Sequence, residues 1–186
     1  MKALIVHGWG ADSLSNWFPW LKNELEKLGI ETLCPDLPNA NFPKKDEWTA
    51  SLRAQSSFLE KENVILVGHS LGCPAILGLL EAFKKGEKAR AAILVSGFEH
   101  DIGIQEIRNF TEKGFDFKKI RAACGEFRVI NSDNDPFVPL EEGKQLAKSL
   151  GTALILEKGA GHINMGDGYL EYNRVLELIK KLAEQA

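Results

Sequence analysis

Short apolar runs and longer amphipathic stretches alternate from one end of the chain to the other. The runs are Ala3–His7, Glu31–Cys34, Val64–Gly68, Ala91–Ser96, Phe127–Asn131 and Ala153–Glu157. Most are near-continuously apolar rather than alternating, the pattern of parallel strands covered on both faces. Trp17, Trp20, Leu21, Leu25 and Leu28 fall on one helical face, which Gly29 ends. Val175, Leu178, Ile179 and Leu182 repeat that spacing near the C-terminus, and Lys45–Glu60, Leu71–Lys85 and Leu140–Leu150 read as three further helices. Strand alternating with helix implies right-handed crossovers and a doubly wound α/β sheet. Phe98–Glu126 is longer than a typical connection plus helix. It reads equally as a small lid or as a helix with a long loop.

The 186 residues fit one domain, and a chain of this size buries roughly 70% of its unfolded surface without help from disulfides or metals. A net charge of −3 gives no electrostatic footprint for nucleic acid, and no basic run seeks an anionic membrane. Cys34, Cys73 and Cys124 match no metal-ligand spacing and read as reduced, mostly buried thiols. The opening run Met1–Val6 is broken by His7 and Gly8 and is too short for a secretory signal. The expected location is therefore cytoplasmic, which also discounts the sequon at Asn109-Phe110-Thr111.

Gly68-His69-Ser70-Leu71-Gly72 changes the picture from fold to chemistry. In a G-x-S-x-G elbow the serine occupies a sharp strand-to-helix turn, and side chains at the flanking positions would clash across it. Here the apolar strand Asn63–Val67 leads in, and Pro74 belongs to the first turn of the helix that follows. The Leu71 N–H then points at the site as a donor for an oxyanion. A second donor is expected from His7-Gly8-Trp9-Gly10, with Trp9 N–H first and Gly8 behind it. His7 reads as a hydrogen-bonded positioning residue.

A serine hydroxyl needs a base within reach, and in hydrolases of this kind the order along the chain is serine, acid, histidine. Of four histidines, His162 in the glycine-rich loop after the sixth strand fits that order. The acid falls in Ser132–Pro139. Asp135 is preferred because Pro136 fixes the backbone behind it, Asp133 is second and reads mainly as a turn former, and Asp101 is an outside candidate. Asp167 follows the histidine and reads as a helix N-cap. Trp17-Phe18-Pro19-Trp20 reads as helix core rather than acyl pocket, as do Phe115, Phe117 and Phe137.

Together these pieces resemble the small α/β-hydrolase family of retinoblastoma-binding protein 9 and its bacterial relatives. The matching segments are the first strand with its glycine loop, Trp17–Leu21, Pro35–Asn39, Gly68–Gly72, Asp133–Pro139 and Gly161-His162. The resemblance implies a serine hydrolase whose nucleophile, acid and base fall on Ser70, Asp135 and His162. The L-x-C-x-E motif for retinoblastoma binding is missing, since Leu33 and Cys34 are adjacent, so that partner does not carry over.

The expectation is a single-domain α/β-hydrolase fold with strand order 2-1-3-4-5-6 and the site at the carboxyl ends of the strands, where the order reverses. Ser70 attacks a small carboxylic ester, amide or thioester, with Leu71 and Trp9 holding the oxyanion; no cofactor or metal is implied. An aspartate-nucleophile reaction is excluded by serine at position 70. The alternative is an idle scaffold that serves protein interaction.

Overall fold

The computed structural model describes residues 1–59 and 63–184. Six strands form one all-parallel sheet: β1 (Lys2–Val6), β2 (Glu31–Leu33), β3 (Val64–His69), β4 (Ala89–Val95), β5 (Cys124–Ser132) and β6 (Leu154–Glu157), in the order β2-β1-β3-β4-β5-β6. This is the expected strand order. The register runs Ala3↔Ile65 between β1 and β3 and Val67↔Ile93 between β3 and β4.

Because successive strand side chains point to opposite faces, each strand feeds two cores. Leu4, Val6, Leu66, Leu94 and Val129 join one apolar cluster. It is covered by α2 (Lys45–Arg53), α4 (Gly72–Glu81), α5 (Phe117–Ala122) and α6 (Leu140–Leu150). Ala3, Ile5, Ile65, Val67 and Ile93 join the other, under α1 (Phe18–Lys27) and α7 (Asn173–Glu184). Nearly every β1, β3 and β4 residue is therefore buried, which is why those runs lack alternation.

Several boundaries differ from the expectation. The helix expected over Lys45–Glu60 is broken after Arg53, with a short α3 at Ser56–Leu59, and Glu60 lies outside the described residues. Helix α4 stops at Glu81, short of Lys85. Leu28 is not on the buried face of α1: the helix ends at Lys27, Gly29 turns the chain at φ 74°, and Leu28 is left 51% exposed. The stretch from Phe98 to Glu126 holds a 3₁₀ helix (Gln105–Phe110), then α5, and the last of it is already β5. Strand β5 begins three residues earlier than its apolar run because Cys124 already pairs with Ala89. Among the described residues, no helix is long and apolar enough to cross a membrane.

Candidate active site

The order of the sheet reverses at β1 and β3, and the loops that leave their carboxyl ends carry Gly8–Gly10 and Ser70. Ser70 sits in the left-handed region at φ 53°, a conformation strained for any residue with a Cβ. The elbow packs so tightly that its glycines are required. A Cβ on Gly68 would lie 2.9 Å from the Gly72 carbonyl, and one on Gly72 would overlap the carbonyl oxygen of Val6. A Cβ on Gly8 would stand 3.1 Å from that of Ser70. Close approach of three backbones is what lets the β1 loop face the serine.

Among the described residues, neither Trp9 N–H nor Leu71 N–H donates a hydrogen bond to the protein. Their neighbours do: Gly10 N–H is bonded to Ala40 O at 2.9 Å and Cys73 N–H to Ser70 O at 2.9 Å. The two N–H groups singled out as oxyanion donors are thus free, and Trp9 lines the same cavities as Ser70.

His162 comes from the loop after β6, whose N–H groups are held one by one. Gly159 N–H goes to Asp133 Oδ1, Ala160 N–H to Ser132 Oγ, Gly161 N–H to Asn134 Oδ1 and His162 N–H to Asp167 Oδ2, all within 3.0 Å. Asp133 is therefore a clamp on this loop rather than a simple turn former. Asp167 is not a helix cap but the anchor of the His162 backbone. The His162 carbonyl accepts from His69 Nε2 at 2.9 Å and from Ser96 Oγ at 3.1 Å.

The imidazole Nδ1 of His162 lies 2.7 Å from Asp135 Oδ2. Asp135 Oδ1 meanwhile accepts the N–H groups of Phe137 and Val138, at 2.9 and 3.0 Å, so both carboxylate oxygens are fixed. Burial alone would raise this carboxyl, but the His162 hydrogen bond and charge and those two N–H groups hold it below its usual value. With Nδ1 engaged by Asp135, His162 Nε2 forms no hydrogen bond among the described residues, and His162 and Ser70 line the same cavities. The Ser70 hydroxyl forms no hydrogen bond among the described residues.

The remaining histidines are placed by burial. His7 is fully buried, accepts Leu37 N–H at Nε2 and bonds Gly8 O through Nδ1, and burial lowers its pKa. His69 is pushed down to about 3 by burial and by the neighbouring His162 charge, so it stays neutral beside the site. Both ring nitrogens of His7 are engaged, and His69 is anchored through Nε2 to the His162 carbonyl. His100 is exposed and pairs with Glu142, and Asp101 is engaged by Arg108 at 2.7 Å.

Trp17 is core, as expected, and its indole N–H bonds Ile163 O at 3.0 Å, tying α1 to the His162 loop. Phe137 is a correction. It is 54% exposed, its ring packs edge-on to His162, and it lines the cleft. Its N–H is bound by Asp135 Oδ1, in the same turn that binds Val138 N–H. The clamping roles of Ser132, Asn134 and Asp167 are not visible in the sequence, since polar residues in a turn give no sign of which distant N–H they hold.

A doubly wound parallel sheet with a strained serine on a glycine-flanked elbow, and a histidine paired to a buried carboxylate beside it, defines an α/β-hydrolase. The chain belongs to the serine hydrolase family, whose family model matches residues 3–181. It is 35% identical over 179 residues to YdeN of Bacillus subtilis (strain 168), which carries a hydrolase name, covering 96% of this chain and 94% of that one. It is 26% identical to the serine hydrolase RBBP9 of Rattus norvegicus, covering 100% and 97%. The crystal structure of the B. subtilis ydeN gene product superposes with a TM-score of 0.94 at 34% identity, covering 98% of each chain.

Proposed function

We propose that this serine hydrolase cleaves small carboxylic esters through an acyl-enzyme, with Ser70 as nucleophile, His162 as base and Asp135 as the acid that orients it. The observation that carries this reading is the 2.7 Å contact between His162 Nδ1 and a fully fixed Asp135, next to the strained Ser70. Ser70 Oγ attacks the ester carbonyl while His162 Nε2 takes its proton. Asp135 keeps the imidazole in the right tautomer and stabilises the imidazolium. The free N–H groups of Trp9 and Leu71 donate hydrogen bonds to the carbonyl oxygen as negative charge develops on it. The intermediate collapses, His162 protonates the departing alcohol, and a water enters by the reverse sequence to release the acid. Amides and thioesters follow the same steps, with the leaving group deciding the rate.

The test is hydrolysis of p-nitrophenyl acetate by the wild type, Ser70→Ala and His162→Ala. Both variants are expected to lose roughly 10⁴-fold or more in kcat. Turnover retained by folded Ser70→Ala would overturn the assignment.

A further inference from the structure

Ser70 and His162, with Trp9 and Asn164, line both of two adjoining clefts, one more apolar than the other. One, of about 240 Å³, is walled by Ile102, Ile104, Ile107 and Phe137. The other, of about 220 Å³, is walled by Gly8–Ala11, Ser15, Asn16, His69 and, at its edge, Met165. His69 Nδ1 is buried in that second wall with no partner among the described residues. The apolar wall is held in place before any substrate arrives. Asn109 donates to Pro43 O and accepts Lys45 N–H, Glu142 takes the N–H groups of Glu99 and His100, and Arg108 bridges to Asp101.

Resting on the serine-hydrolase reading above, we propose that the isoleucine cleft is the acyl subsite and that the preferred substrates are esters of short straight-chain acids. The alcohol occupies the polar cleft. The assignment follows from proton traffic. His162 gives its proton to the departing alcohol and later takes one from the attacking water, so both oxygens occupy the same position. That position needs a wall that tolerates water, whereas a cleft lined by isoleucine and phenylalanine favours a hydrocarbon. A cleft of about 240 Å³ encloses a short acyl chain of up to about six carbons, and a longer chain would run out of it into solvent.

The experiment compares p-nitrophenyl acetate, butyrate, hexanoate and decanoate with methyl, butyl and hexyl acetates, for the wild type, Ile104→Trp and Ile104→Ala. Labelling of Ser70 by a fluorophosphonate and circular dichroism are recorded on the same samples. In the wild type kcat/KM rises roughly fourfold per methylene from acetate to hexanoate, then falls at decanoate, while the alcohol series stays flat. In Ile104→Trp the hexanoate-to-acetate ratio drops roughly 30-fold, and in Ile104→Ala the decanoate-to-hexanoate ratio rises. Should the tryptophan variant fail to fold, the alanine variant carries the same test. A flat acyl series, or Ile104 variants that move the alcohol series instead, would overturn the subsite while leaving the hydrolase reading intact. No turnover and no Ser70 labelling in folded wild type would remove both.

Discussion

Asp135 Oδ2 and His162 Nδ1 meet at 2.7 Å, and the Asp135 side chain is closed to solvent while its other oxygen is bound by two backbone N–H groups. A carboxylate held this way cannot rotate, so it imposes one tautomer on the imidazole. Asp135→Asn keeps the shape and removes the charge. It is expected to lower kcat for p-nitrophenyl acetate by roughly 10³–10⁴-fold with little change in KM. The same substitution has a signature in stability. The folded carboxyl lies below its ordinary value, so its contribution is present above about pH 4 and is lost as pH falls through the folded pKa. The Tm advantage of wild type over Asp135→Asn should therefore shrink in acid, which thermal scans between pH 3 and 7 would check.

Ser70 stores backbone strain at φ 53°. Ser70→Gly and Ser70→Ala both remove the hydroxyl, but only glycine relaxes the left-handed conformation. Ser70→Gly is expected to be more stable than Ser70→Ala by about 1 kcal/mol in urea unfolding, with both inactive. Equal stabilities would mean that the turn carries no strain.

Gly72→Ala forces a Cβ into the carbonyl oxygen of Val6, where β1 and α4 cross and neither backbone can yield cheaply. A loss of about 3 kcal/mol or more in urea unfolding is expected. Gly29→Ala, with open space around its Cβ and a φ of 74°, should cost only about 1 kcal/mol.

Glu99 is nearly buried, one of its oxygens has no partner among the described residues, and burial raises its pKa despite the Ser149 hydroxyl at 2.9 Å. Its raised folded value means that wild-type stability falls as pH climbs above about 4, the unfolded value, through the folded pKa. Glu99→Gln does not titrate. It should raise Tm at pH 7 and lose that advantage near pH 4, in thermal scans with esterase activity followed in parallel.

The sheet was legible because burial on both faces writes itself as continuous apolar runs, and its strand order matched the one expected of an α/β-hydrolase fold. That Ser70, His162 and Trp9 share one cleft, with Asp135 on His162, was legible because chain order and loop placement constrain these positions and two glycines flank Trp9. What stayed hidden depends on long-range contact. Phe137 looks like core in one dimension, but in the turn held by Asp135 its ring stands against His162. Asp167 looks like a cap, yet it reaches back five residues to His162 N–H. The 3₁₀ helix at Gln105–Phe110 escapes a 3.6-residue pattern because its period is nearer three, and Ile107 and Phe110 are its buried contacts.

The central claim is an activated Ser70. The most direct measurement is fluorophosphonate labelling of purified protein with the adduct mapped by mass spectrometry, run beside Ser70→Ala, Asp135→Asn and His162→Ala. One adduct on Ser70 of the wild type, absent from Ser70→Ala and strongly slowed in the other two, is the predicted result. A folded wild type that stays unlabelled, or an adduct on another residue, would contradict it.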